Sequence, residues 1–120
     1  MNIAILTGNL IKENNIKYTS NGVAILSNTI AIKRNYKNAN NEYESDFVNI
    51  KAFDKKAEYL SKYANKGDKI TIKGRIQTSN YEDKEGNKKY ITEVIVEDLT
   101  LMSKKQAKEE YANIDENFLD

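Results

Sequence analysis

Residues 45 to 53 read Ser-Asp-Phe-Val-Asn-Ile-Lys-Ala-Phe, and their chemistry sorts by parity. The even positions Val48, Ile50 and Ala52 are apolar. The odd positions Phe47, Asn49, Lys51 and Phe53 combine two aromatic rings with a polar and a basic group. On a β-strand, successive side chains point to opposite faces. One face is therefore an ordinary core face, and the other exposes phenylalanines beside a lysine. Rings on a wet, basic face are hard to explain as packing. They suit a platform on which bases stack while the cation meets phosphate. The competing explanation is that this outer face packs on a partner subunit, since exposed aromatics also mark protein interfaces.

The arrangement recurs from Lys69 to Tyr81. The even positions Ile70, Ile72, Gly74 and Ile76 are apolar or small, and the odd positions Lys73, Arg75, Gln77, Ser79 and Tyr81 are basic, polar or aromatic. Two strands thus present the same kind of mixed face. Lys33, Arg34, Lys51, Lys73 and Arg75 are the candidate phosphate contacts, joined by Lys88 in the charged 82–89 segment, where Glu82, Asp83 and Glu85 partly offset Lys84, Lys88 and Lys89. Tyr18, Tyr59, Tyr63 and Tyr90 read as core or helix-packing residues. The five glycines show no phosphate-loop spacing.

The elements that must position these groups follow from periodicity and breakers. Residues 2–10 are short, β-branched and apolar, a first strand. Asn14-Asn15 and Ser20-Asn21-Gly22 supply turns. Val23 to Tyr36 forms a long second strand with Leu26, Ile30 and Ile32 toward the core, and residues 37–44 form a polar hairpin loop. After the third strand the period changes. Asp54 is the expected N-cap, Ala57, Leu60 and Ala64 make one helical stripe, Lys66 sits in the last turn, and Gly67 is the expected C-cap residue. The fourth strand runs from Lys69 to Tyr81, residues 82–89 form a charged loop, and residues 90–102 form the fifth strand. Residues 103–112 are compatible with a short helix, and the last eight read as disordered.

Composition narrows the function. The chain of 120 residues is one domain with a modest core. No apolar run approaches the length of a membrane span, and the N-terminus lacks a signal-peptide pattern, so a soluble, cytoplasmic protein is expected. Without Cys there are no disulfides or thiolate metal sites, and without His the commonest general base and metal ligand are missing. Neither an enzyme nor a cofactor is expected. Net charge is +1, but it is unevenly spread: residues 103–120 hold three lysines and five acids, while the rest carries a net +3.

Five strands with one helix between the third and fourth match an all-β OB-fold, a Greek-key barrel that binds oligonucleotides on its strand 2–3 face. At this point the chain resembles the bacterial and phage single-stranded DNA-binding proteins. The resemblance rests on Asn2-Ile3-Ala4-Ile5-Leu6-Thr7-Gly8-Asn9-Leu10, Tyr18-Thr19-Ser20-Asn21-Gly22-Val23-Ala24, Asp46-Phe47-Val48-Asn49-Ile50 through Phe53, and Ala57-Glu58 with Lys66-Gly67. Gly74-Arg75-Ile76-Gln77-Thr78, Tyr81 and Thr92-Glu93-Val94 complete it, over roughly residues 1–102. It implies base stacking on Tyr36, Phe47, Phe53 and Tyr81, of which the last three already lie on the faces found from parity. It also implies a homotetramer paired through the 2–10 strands, and roles in replication, recombination and repair. In the family an acidic tip closing on Pro-Phe recruits partner proteins. Here residues 103–120 form a short acidic tail whose tip offers Asp115, Glu116, Phe118 and Asp120 without a proline. Two other readings stay open: an OB-fold protein-interaction module of a replisome or phage factor, and an RNA-binding OB domain.

Overall fold

The computed structural model describes residues 1–102. Its elements are β1 (Ala4–Leu10), β2 (Ile16–Tyr18), β3 (Ala24–Lys37), β4 (Tyr43–Phe53), α1 (Asp54–Tyr63), β5 (Lys69–Glu82) and β6 (Lys88–Met102). The strands are ordered β1-β5-β6-β4-β3-β2, and β1 also pairs with β3. That last pairing, Asn9 with Ala31 and Leu10 with Ile30, closes five strands into a barrel. All pairings are antiparallel except β4 with β6, which meet at Ile50–Val94 and Lys51–Ile95. This is the OB-fold expected from the strand and helix order. The unforeseen element is β2, three residues that extend the sheet beside Ala24–Leu26 of β3.

The core follows the parity of the sequence. Leu26, Ile30, Ile50, Ala52, Ile70 and Ile72 are buried, and Val94 and Val96 join them from β6. Ala57, Leu60 and Ala64 carry the inner stripe of α1 into the same cluster. Buried among them is Asn28, whose amide bonds Lys12 N and O, Thr29 N and Asn14 Oδ1. Asn14 in turn donates to the Ala64 carbonyl. Every polar group of this pair is therefore engaged, which is the condition for burying an amide at small cost.

Two glycines are required by close approach. A Cβ on Gly8 would lie 2.6 Å from the Ala31 carbonyl oxygen, at the seam where β1 reaches β3. A Cβ on Gly74 would lie 2.0 Å from the Ile95 carbonyl oxygen, beside the bulge that makes Glu97 the extra residue of β6.

The helix ends differ from expectation. Asp54 is the first helical residue, with φ 56°, and the N-cap is Phe53, which makes no side-chain capping bond. The reason is that β4 enters α1 without a loop, so the chain turns at Asp54 itself, in a left-handed conformation that Asp tolerates better than most. Its carboxylate still faces the positive end of the helix dipole. At the other end α1 stops at Tyr63, so Lys62, not Lys66, is the basic residue of the last turn. Gly67, φ 93°, belongs to the turn closed by Asp68 N–H on the Asn65 carbonyl.

Candidate nucleic-acid interface

The outer face of the barrel is built row by row. Lys51 on β4 pairs with Ser27 on β3 and Ile95 on β6, and Ile95 pairs with Arg75 on β5. Lys51 and Arg75 are thus two strand spacings apart, about 10 Å. Between them Ile95 is buried although its parity faces outward, flanked by two side chains whose methylene stems can cover apolar surface. Both cations are oriented: Lys51 Nζ lies 3.5 Å from Glu93 Oε1, and an Arg75 Nη1–H donates to Gln77 Oε1 at 2.8 Å. Arg75 and Lys73 form no ion pair among the described residues.

The rings sit along this face. Phe47 stands opposite Ala31, too short to cover it, and is 65% exposed. Phe53, opposite Ile25, is half-buried at the junction with α1. Six residues separate them on one strand, roughly 20 Å, room for several nucleotides.

Tyr81 shares their parity but not their support. β4 meets β6 only at Val94 and Ile95, so β5 beyond Gln77 and β6 before Glu93 form a two-stranded arm. Both faces of the arm are open, and Ile76, expected in the core, is 47% exposed at its root. The ring opposite position on β6 is Lys89, whereas Lys88 pairs with Glu82 on the reverse parity. The basic neighbour of Tyr81 is therefore Lys89, itself 3.9 Å from Asp83 Oδ2.

The β3–β4 hairpin rearranges the remaining candidates. The register slips between Lys33–Ser45 and Lys37–Tyr43, and exposed Tyr36 falls inside the slip. Lys33 Nζ lies 4.4 Å and Lys37 Nζ 5.6 Å from the Tyr43 ring centroid. Tyr43, on the parity of Phe47, is an exposed ring flanked by two cations that sequence reasoning missed by ending the strand at Ser45. Continuing the odd parity of β4 two residues back would have found it. Arg34 goes elsewhere. It contacts Glu44 at 2.8 Å and both carboxylate oxygens of Asp46, at 2.7 Å for the closest pair. Glu44 and Asp46 occupy the even parity, the reverse of Phe47, so Arg34 is drawn away from the Phe47 face; its Cζ lies 6.0 Å from the Tyr36 ring centroid.

A model of the single-strand binding protein family matches residues 1–102. The chain belongs to that family. It is 39% identical to a single-stranded DNA-binding protein of Enterococcus faecalis over 92% of this chain and 58% of the relative. It is 41% identical to single-stranded DNA-binding protein 1 of Staphylococcus aureus (strain Mu50), over 89% of this chain and 69% of the relative. The corresponding figures for single-stranded DNA-binding protein 1 of Streptococcus pyogenes serotype M18 are 42%, 88% and 81%. These are binding proteins by name, and among the described residues no group of His, Cys, Asp and Glu could hold a metal ion. No helix of the described residues is long and apolar enough to cross a membrane.

Electrostatics on this family member's face are local. Hydrogen bonding to Asp46 raises the pKa of Arg34 above its ordinary value, with the carboxylate's charge acting in the same direction. The same hydrogen bond holds Asp46 below the ordinary carboxylate range. Tyr18, Tyr59, Tyr63 and Tyr90, expected to pack, are all exposed. Tyr90 lies on the reverse face of the arm, and Tyr59 and Tyr63 lie on the solvent side of α1. Parity and helical spacing identify a face, but not whether anything lies beneath it.

Proposed function

We propose that this chain binds single-stranded DNA without sequence preference and protects it during replication, recombination and repair. The observation that carries the reading is the uncovered Phe47 ring on the same face as the Lys51–Ile95–Arg75 row. Bases stack on Phe47, Phe53, Tyr81 and Tyr36, each stack worth about 1–3 kcal/mol. Lys33, Lys51, Lys73 and Arg75 follow the phosphates. Arg34, engaged by two carboxylates, and Lys88, opposite Glu82 on the reverse face of the arm, stand outside that set. The names of the relatives support the ligand class.

A homotetramer is proposed to begin at β1. One edge of β1 pairs with β5 from Ala4 to Asn9, while the other meets β3 only at Asn9 and Leu10. Exposed Ile5 lies on that strand and exposed Ile3 just before it, and an open apolar edge is a natural pairing site. The proposed partner-recruiting residues Asp115, Glu116, Phe118 and Asp120 lie outside the described residues. The proposed location is the nucleoid in the cytoplasm.

The test titrates the protein into labelled oligo-dT, the matching RNA and duplex DNA at two salt concentrations, with Phe53→Ala in parallel. Tight oligo-dT binding weakened by the substitution is expected. About four phosphate contacts at about 0.7 each give a log–log salt slope near −3. Preference for RNA, or oligo-dT binding untouched by the substitution, refutes the reading.

A further inference from the structure

The solvent side of α1 holds two rings and three cations that the track above does not use. Tyr59 and Tyr63, at i and i+4, stack with centroids 4.9 Å apart and planes tilted by 48°. They are 44% and 55% exposed. Lys55, Tyr59 and Lys62 fall at i, i+4 and i+7, and Lys56, Tyr59 and Tyr63 at i, i+3 and i+7, so the lysines line both sides of the pair. Lys62 Nζ lies 5.3 Å from the Tyr63 centroid. None of these three lysines forms an ion pair among the described residues. The nearby acids of the helix, Asp54 and Glu58, lie to one flank by helical spacing.

The first turn of this helix, with Lys55 and Lys56, borders the Phe53 end of the track. A cleft of about 880 Å³ opens at the start of α1, bordered by Phe53, Lys55 and Lys56 with Asp54, Glu58 and Glu97. Tyr59 is six residues beyond Phe53, about 9 Å along the helix axis, and Tyr63 about 15 Å. From this juxtaposition we propose that the bound strand continues past Phe53 onto α1, where Tyr59 and Tyr63 stack further bases and Lys55, Lys56 and Lys62 meet their phosphates. The proposal rests on the single-stranded DNA reading and extends its site.

The chemistry favours nucleic acid over a protein partner. A helix docked into a protein groove presents an apolar stripe at i, i+3, i+4 and i+7. Here that stripe is Ala57, Leu60 and the C-cap Ala64, already buried in the core. The outer side offers rings and unpaired cations, the pairing that stacking grooves use. The acids bordering the cleft place the backbone on its lysine rim, away from Asp54 and Glu97.

The test compares oligo-dT of about 6 and about 16 nucleotides, near the ends of the range one OB-fold covers. The full chain carries Tyr59→Ser with Tyr63→Ser; both rings are exposed, and thermal unfolding checks that the fold is kept. Expected are an unchanged affinity for the short oligonucleotide and a loss of about tenfold or more for the long one. The Tyr59→Phe, Tyr63→Phe pair keeps wild-type affinity for both. Replacing Lys55, Lys56 and Lys62 by Gln flattens the salt slope for the long oligonucleotide by about 2. Wild-type affinity of the Ser variant for the long oligonucleotide overturns the proposal, as does an equal loss at both lengths. If Phe53→Ala is also silent at both lengths, it is the single-stranded DNA reading that has failed, and the extension falls with it.

Discussion

The Phe47–Phe53 segment and the Tyr81 arm present the same side-chain alphabet on very different foundations. Phe47, Lys51 and Phe53 alternate with Val48, Ile50 and Ala52, which are packed on or within the core. Their backbone is paired with β3 along most of its length and with β6 at Ile50 and Lys51. Tyr81 alternates with Asn80 and Glu82, both exposed, on a ribbon of two strands joined by the Asp83–Asn87 turn. A two-stranded ribbon has little stability of its own. A ring on the wall is held by a strand packed on the core, whereas a ring on the arm rests on a ribbon that is open on both faces. Any ordering of the arm on binding would cost entropy, so equal contacts would give unequal affinity.

The largest effect tests the joint between the two regions. Gly74→Ala drives a methyl into the Ile95 carbonyl, and overpacking of this kind costs about 1–3 kcal/mol or more. A fall in the denaturation midpoint and a displaced arm are expected; unchanged stability would mean the wall and arm are not locked at this bulge. Next, Phe47→Ala on the wall should weaken oligo-dT binding by about 1–3 kcal/mol while leaving thermal stability almost intact, because the ring is mostly exposed. Tyr81→Ala on the arm should cost about 1 kcal/mol, the low end of that range. If equilibrium titration finds Tyr81 equal to Phe47, the arm is as preorganised as the wall and the contrast fails.

The smallest effect concerns Arg34. Asp46→Asn should release it, steepening the log–log salt slope by up to about 0.7 if it gains a phosphate. The pH behaviour has a definite sign. Asp46 is depressed in the folded state, so its contribution is fully present above the ordinary aspartate range and is lost as pH falls through the lower folded value. A carboxyl NMR titration should therefore find the Asp46 midpoint below that of free aspartate, returning upward in Arg34→Gln.

What could be read in the sequence was whatever depends on local period. The 45–53 parity, the Ala57-Leu60-Ala64 stripe and the order of the barrel strands all follow from neighbours within one element. The rest depends on partners far along the chain. β2 is three residues whose strand state exists only because Ala24–Leu26 offers an open edge. The Arg34 clamp depends on the β3–β4 register, which brings residues ten and twelve positions away against it. Tyr90 and Ile76 alternate like core residues, yet the arm extends past the last strand that could cover them. In the candidate site, Phe47, Phe53, Lys51 and Arg75 were legible; Tyr43 was not, because a polar stretch that reads as loop is in fact the start of β4.

The loopless passage from β4 into α1 has a mechanical consequence. Phe53 is at once the last residue of the strand and the cap of the helix, and Ala57 and Leu60 anchor that helix in the core. In the proposed binding mode, a base pulled off this ring would load the barrel directly, with no slack segment to absorb the displacement. Tension on the bound strand would thus be borne by the folded body at Phe53, whereas at Tyr81 it would be dissipated in bending.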